Sequence, residues 1–353
     1  MITDIRLQSF RSYDDESFEF DGGVNIIVGP NASGKTNLLE AILLIARGNS
    51  YRARDGELVK FGAPWARLDV HDEHENLRVL KLECLSETVC KKSFEIDGKM
   101  FQRLSVQRVL PVVIFEPNHL LFLSGSPELR RGYLDDLLEQ ISPGFGAYRR
   151  QYKRVLAQRN ALLKKGLNIA KPQIFVWNLR LSELAGKIVG ERAKLIATIN
   201  EIASETYSKL AHSSQQTELR YVSSCAVEQY ESRLLHKLEQ NLERDCLLGY
   251  TTAGPHRDDV QVLLNTFDAK DTASRGETRT IVLTLKIIEL QLLADARGQT
   301  PLLLLDDVFS ELDGVRRQAL TSFLRPYQTF ITTTDADIVV QHLMDSCRVI
   351  PLS

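Results

Sequence analysis

Residues 24–46 read VNIIVGPNASGKTNLLEAILLIA, and the fold follows from this stretch. A run rich in β-branched residues stops at Gly29, and an apolar run with leucine and isoleucine on most faces resumes after Thr36. The first predicts a strand and the second a helix buried against a sheet. Between them GPNASGKT, positions 29–36, fits G-x-x-x-x-G-K-[ST] in the strand-loop-helix context that this phosphate-binding loop requires. Gly29 and Gly34 let the backbone curl so that its N–H groups face phosphate oxygens. The helix that follows presents its positive N-terminal end to the same anion. The nucleotide-binding positions are therefore Gly29, Pro30, Asn31, Ala32, Ser33, Gly34, Lys35, Thr36 and Asn37. Lys35 is placed to reach the β- and γ-phosphates and Thr36 to put its hydroxyl on Mg²⁺. The competing reading, a chance glycine-rich turn before a helix, does not account for the correct flanks.

A second stretch far downstream supplies a partner. LLLLDDVFSELD, positions 302–313, runs four leucines into Asp306 and Asp307. So apolar a strand belongs in the centre of a sheet, buried on both faces. Its terminal Asp306 suits a metal-holding carboxylate, and Asp307 a group that orients or deprotonates an attacking water. The alternative is a helix-capping aspartate with an accidental neighbour, since a helix is predicted soon after. A third element, TASRGETRT at 272–280, places Ser274, Arg275, Gly276 and Glu277 just before a long apolar helix. Ser274 and Gly276 with that helix N-terminus form another anion cradle, one without a lysine. Alone it reads as a helix cap. A chain with one phosphate loop and two cradles suggests that the second serves a neighbour's nucleotide.

The rest of the chain sets limits. The 353 residues suffice for one large domain or two, and 43% hydrophobic with 25% charged residues is an ordinary globular balance. The N-terminus lacks the apolar core of a signal peptide, and no apolar run reaches membrane-spanning length. The five cysteines form no CxxC pair, which predicts reduced thiols in a cytoplasm and no disulfide framework or zinc site. Strand patterns fill residues 67–96 and 112–115; residues 129–242 are mainly helical; strand patterns return at 258–264, 301–307, 328–334 and 347–352. The expected architecture is α/β, one nucleotide-binding head built from residues 1–117 and 246–353, with a helical lobe inserted at 118–245. Within that lobe residues 140–182 contain no acid but many bases. Arg149, Arg150, Lys153, Arg154, Arg159, Lys164 and Lys165 are the candidate polyanion contacts, against the blander reading of a basic surface facing acids of the same protein.

These elements in this order resemble the ABC-type ATPase heads of the structural-maintenance-of-chromosomes superfamily, and more narrowly the bacterial RecF family of DNA replication and repair proteins. The resemblance covers nearly the whole chain. It rests on LQSFRSY at 7–13, GPNASGKTNLLEAI at 29–42, GNSYR at 48–52, GSPELRRGYLD at 125–135, YKRVLAQRNALL at 152–163, TTAGPHRDD at 251–259, SRGE at 274–277 and LLLLDDVFSELD. It implies an ATP-dependent homodimer with ATP and Mg²⁺ sandwiched head to tail, so that Ser274 and Gly276 meet the phosphate held by the partner's loop. It implies that Ser310, Glu311, Leu312 and Asp313 form a loop that communicates across the dimer. It also implies binding to single- and double-stranded DNA and gap junctions, cooperation with RecR and RecO in loading recombinase, slow ATP hydrolysis as a switch, and no membrane partner.

The chain departs from the ABC pattern in three places. Asp307 stands where most such heads have glutamate, which agrees with slow hydrolysis. ITTTDAD at 331–337 lacks the histidine of transporters, leaving Thr334 and Asp335 as substitutes, and VVIFEP at 112–117 supplies no glutamine, Gln107 being the nearest. A transporter-type ABC subunit, the alternative function, requires those missing residues; a small-molecule kinase gives SRGE and SELD no role. Arg11 and Arg52 read equally as phosphate or DNA contacts and as surface ion pairs. His256 and Arg257 read as a packed corner or as ligand contacts, and Tyr148 and Tyr152 as lobe packing or base stacking.

Overall fold

The computed structural model describes residues 1–86, 89–335 and 347–352. In chain order the elements begin with β1 (Ile2–Phe10), β2 (Tyr13–Glu19), β3 (Val24–Val28), α1 (Lys35–Arg47), α2 (Asp55–Leu58), β4 (Trp65–Asp72), β5 (Leu77–Ser86), β6 (Val89–Ile96), β7 (Lys99–Phe101) and β8 (Val112–Phe115). There follow α3 (Pro127–Ile141), α4 (Phe145–Leu163), α5 (Leu167–Ala170), α6 (Ile174–Ala211), β9 (Thr217–Val222), α7 (Tyr230–Gln240), α8 (Leu242–Leu248), β10 (Asp259–Leu264), β11 (Phe267–Asp268) and α9 (Ala269–Thr272). The chain ends with α10 (Arg275–Arg297), β12 (Leu302–Asp306), α11 (Val308–Glu311), α12 (Gly314–Leu324), β13 (Thr329–Thr333) and β14 (Cys347–Pro351).

One compact unit joins residues 1–120 to the described residues from 282 onward. Its parallel sheet has the order β14-β3-β13-β12-β8, and its antiparallel sheet the order β2-β1-β4-β5-β6-β7. Helix α1 is buried over most of its length, and its Leu38, Leu39, Ile42 and Leu43 share one core with Ile5 and Leu7 of β1, Leu68 of β4 and Leu304 of β12. A helix with apolar residues on most faces is what a position between two sheets demands. Strand β12 is buried at every residue, as its leucines require in a central parallel strand.

The second unit spans residues 121–281. Residues 246–281, expected in the head, therefore belong here, because β10 pairs with β9 along six residues and β11 folds back on β10. The region expected to be mainly helical also holds this three-stranded sheet, since TELRYV at 217–222 alternates and forms β9. Two of the sequence motifs prove to be each other's partners. Arg130 of GSPELRRGYLD donates to both Asp259 oxygens at 2.7 and 2.9 Å and to the carbonyls of Phe122, Leu123 and Gly125. Arg131 donates to the Asp258 carbonyl at 2.6 Å. Asp258 in turn accepts hydrogen bonds from Tyr221, Ser223 and Tyr230, while burial pushes its pKa up. His256, driven down to about 4 chiefly by burial, pairs with the hydroxyl of Tyr152 at 2.7 Å. His256 and Tyr152 are thus packing residues of this unit, and Arg257 lies over the ring of Tyr250.

Two candidate DNA contacts are corrected in the same way. Arg159 is fully buried and donates to Asp245, Thr251 and Asn178, each at 2.7 Å. Arg149 is held by Asp135 at 3.2 Å and Glu139 at 2.7 Å. Arg150, Lys153, Arg154, Lys164 and Lys165 remain exposed. Cysteine arithmetic also fails at one point. Cys84 and Cys90 lie directly opposite in the β5–β6 hairpin and form a disulfide, whereas Cys225, Cys246 and Cys347 are free thiols. Register places those sulfurs together, which spacing alone does not reveal.

A truncation separates the buried arginine from the surface ones. Arg159→Met leaves Asp245 buried without its cation, and we expect a loss of about 3–5 kcal/mol in urea unfolding. Arg150→Ala should stay within about 0.5 kcal/mol of the parent protein.

Candidate functional site

Strand β3 delivers the chain into the loop at the end of the sheet where β12 and β13 also stop, since Asp306 pairs with Thr332 and Thr333 with Val28 in parallel register. Gly34 takes φ 100, and a Cβ there would meet the hydroxyl of Tyr13 at 2.8 Å. A Cβ on Gly29 would meet the Leu352 carbonyl and the Ser33 hydroxyl, each at 2.6 Å. Both glycines are therefore required by space, and Gly34 by conformation as well. Tyr13 donates to the Gly34 carbonyl at 3.0 Å and buttresses the loop from below. Ser33 keeps a buried hydroxyl with no hydrogen-bond partner. The ammonium of Lys35 sits inside the loop, donating to the carbonyls of Gly29 and Pro30 at 2.7 Å each.

The sequence-predicted residues converge on Asp306. Thr36 donates to its Oδ1 at 3.0 Å and Thr332 to the same oxygen at 2.7 Å. The Thr332 hydroxyl also accepts the Asp307 N–H at 2.9 Å. Asp307 holds φ 52, a left-handed conformation in which aspartate is tolerated, and it turns the chain between β12 and α11. A cleft of about 350 Å³ is lined by Asn31, Ala32, Gly34, Lys35, Thr36 and Asn37 with Asp306, Asp307, Thr332 and Thr334. Thr334 is thus at the site, whereas Gln107 is exposed on a short turn and does not line the cleft.

Sequence reasoning missed the layer beneath. Glu40 of α1 is fully buried and accepts from Arg11 at 2.9 Å, Arg52 at 3.1 Å and Ser50 at 2.5 Å. Burial raises the Glu40 pKa, but those three donors outweigh it and hold the carboxyl below its ordinary value. Arg11 and Arg52 are thereby committed to a structural pair, and Arg52 reaches on to Asn37 at 2.8 Å. Glu116, the residue after β8, is pushed up by burial and by the Asp306 carboxylate. Tyr51 is pushed up by burial and by Asp306 too, and its hydroxyl is buried without a partner.

The remaining predicted elements are placed separately. Ser274 and Glu277 form a reciprocal cap on α10: the Ser274 N–H donates to the Glu277 carboxylate at 2.8 Å and the Glu277 N–H to the Ser274 hydroxyl at 3.2 Å. Ser274 and Arg275 are exposed, and Gly276 is half-buried. Leu312 is buried, and Asp313 caps α12 by accepting the Arg316 N–H at 2.9 Å. The side chains of Ser310 and Glu311 lie outside the described residues.

These residues fit a Mg²⁺-nucleotide. The loop has room for no Cβ at its two glycines, one buried hydroxyl is unpaired, a cation lies within the curl, and a hydroxyl and a carboxylate meet at 3.0 Å where a hard cation takes oxygen ligands. Fold and site together define the class, a P-loop ATPase head of the ABC type. The profile of the RecF/RecN/SMC N terminal domain family matches residues 1–350. The DNA replication and repair protein RecF of Ruminiclostridium cellulolyticum is 35% identical over 347 residues, covering 96% of this chain and 93% of that protein. A solved structure of the recombination mediator protein RecF-ATPrS in the RecFOR pathway superposes with TM-score 0.86 at 29% identity, over 100% of this chain and 97% of the other. The Smc head domain from Pyrococcus furiosus shares the fold, with TM-score 0.52 at 17% identity over 97% of this chain and 91% of that one. The chain belongs to the RecF family.

Thr332 offers the test of this geometry. Thr332→Val removes one donor from Asp306 and the acceptor of the Asp307 N–H, and urea unfolding should show a loss of about 1–3 kcal/mol. Thr332→Ser, which keeps the hydroxyl, should recover most of it.

Proposed function

We propose that this protein is an ATP-dependent DNA-binding protein of recombinational repair and replication, acting in the cytoplasm with RecR and RecO. In this reading it dimerises on ATP and hydrolyses it slowly. The observation that carries the reading is the meeting of Thr36, Asp306 and Thr332 at the phosphate loop, 270 residues apart in sequence between Thr36 and Asp306. The names of its relatives, and the solved RecF structures with ATP or an analogue, support it.

In this reading each residue of the site has a role. The backbone N–H groups of the loop and the α1 N-terminus bind the phosphates, and Lys35 exchanges its two carbonyl partners for phosphate oxygens. Thr36 and Asp306 hold Mg²⁺, which neutralises phosphate charge when bound. Asp307, aimed by its left-handed backbone, orients the attacking water, and its side chain is one methylene shorter than glutamate. Such a site suits a switch better than a fast turnover. Ser274 and Gly276, at the start of a 23-residue helix, present a hydroxyl and backbone to a partner subunit's phosphate. Arg150, Lys153, Arg154, Lys164 and Lys165 supply the phosphate-neutralising surface, in place of the larger set that includes Arg149 and Arg159.

Mass by light scattering tests the dimer. A doubled mass with ATP and a single mass with ADP are expected, and Ser274→Arg should stay monomeric with ATP; a mass independent of nucleotide refutes the dimer. DNA binding has its own test. Gapped duplex should be retained by the parent protein with ATP and released by Lys35→Met, and equal retention by both would count against the proposal.

A further inference from the structure

The cap at the start of α10 has a support from outside its own turn. Glu277 Oε2 accepts the Ser274 N–H at 2.8 Å, and Glu277 Oε1 accepts the side-chain amide of Gln215 at 3.0 Å. Gln215 lies 62 residues upstream, in the turn between α6 and β9 of the same compact unit. Its amide can face only one way. The carbonyl oxygen accepts the hydroxyls of Tyr207 at 3.3 Å and Ser213 at 3.4 Å, while the carboxylate of Glu277, which can only accept, meets the NH2 group. Tyr207 is fully buried near the end of α6, so one side of Gln215 is anchored in the core. The turn itself is tied down. The Gln216 N–H donates to the Asn265 side chain and the Asn265 N–H to the Gln216 carbonyl, each at 2.9 Å.

This support bears on Ser274. The Ser274 hydroxyl accepts the Glu277 N–H at 3.2 Å, which turns a lone pair toward the helix and leaves the O–H to donate outward. Outward donation is the polarity that a phosphate oxygen needs. A capping box is complete with Ser274 and Glu277 alone. A third residue, brought from another element and fixed in orientation by two hydroxyls, serves to hold the carboxylate in one place. Because that hydrogen bond ends on a charge, it is among the stronger ones.

We infer that Gln215 is a positioning residue of this cradle: by fixing Glu277 it keeps Ser274 and Gly276 in the arrangement that receives the phosphate of a partner subunit. The inference rests on the proposed function, which gives the cradle to ATP-driven pairing. A merely structural Gln215 would affect stability but not pairing.

The mass of the full chain should be followed by light scattering with Mg²⁺ and ATPγS across a series of protein concentrations. Nucleotide affinity is measured separately, at protein too dilute to pair. Gln215→Leu nearly keeps the size of the side chain and removes its hydrogen bonds. It should raise the concentration at which half the protein is dimeric about tenfold, the weight of one hydrogen bond to a charged group, and leave the affinity of the dilute protein unchanged. Gln215→Glu, which sets two carboxylates face to face, should raise it further. Adding Glu277→Gln to Gln215→Glu exchanges the two side chains, keeps each hydrogen bond between them and their neighbours, and should restore most of the pairing. If Gln215→Leu also lowers the urea midpoint, the exchanged pair decides. A half-dimer concentration in Gln215→Leu equal to that of the parent, or an exchanged pair no better than Gln215→Glu alone, overturns the inference and leaves the proposed function standing. A parent protein that stays monomeric with ATPγS at every concentration overturns both.

Discussion

One carboxylate oxygen holds the nucleotide site together. Asp306 Oδ1 accepts from Thr36 at the head of α1 and from Thr332 on the neighbouring strand. Through Thr332 it also sets the backbone of Asp307. The loop, the strand that ends in Asp306 and the turn at Asp307 are thereby fixed by a single hydrogen-bonded point at the end of a parallel sheet. The apolar strand behind it supplies the rigidity, because β12 is buried throughout and cannot shift without opening the core.

How much of this is legible in the sequence depends on how local the physics is. The phosphate loop is legible because its glycines, lysine and threonine act within eight residues, and because the flanking strand and helix carry their own hydrophobic patterns. Asp306 is legible because a carboxylate closing a buried leucine strand is costly unless a cation or a hydroxyl meets it there. Thr332 is not: QTFITTT offers several threonines, and only the register with β12 decides which one faces Asp306. Glu40 is hidden inside an apolar helix, where its burial depends on Arg11 and Arg52 arriving from either side of the loop. The Cys84–Cys90 pair likewise depends on strand register.

The basic segment shows the limit of reading charge from composition. An acid-free run from 140 to 182 resembles a polyanion surface throughout, yet its most buried member, Arg159, finds acid and hydroxyl partners 86 and 92 residues downstream. Arg192 repeats the pattern, bridging to both oxygens of Asp135 at 2.8 and 2.9 Å and to the Pro255 carbonyl at 2.8 Å. Guanidinium suits this task because its planar fork serves several acceptors at once and stays charged when buried. The inserted unit is braced by arginines, and only its exposed bases are available to a ligand. The same bracing accounts for how the GSPELRRGYLD and TTAGPHRDD motifs lie so far apart in sequence and yet form one structure.

The order β14-β3-β13 has a consequence for how the chain is made. Strand β3, which leads into the phosphate loop, has β13 on one side and β14 on the other, and neither begins before residue 329. During synthesis the loop therefore emerges long before the strands that will flank it. The antiparallel sheet and the whole inserted unit have their strand partners available much earlier. Nucleotide competence arrives as a late event in the life of the nascent chain, so a polypeptide halted before β13 carries a complete phosphate-loop sequence on a strand that has no partner.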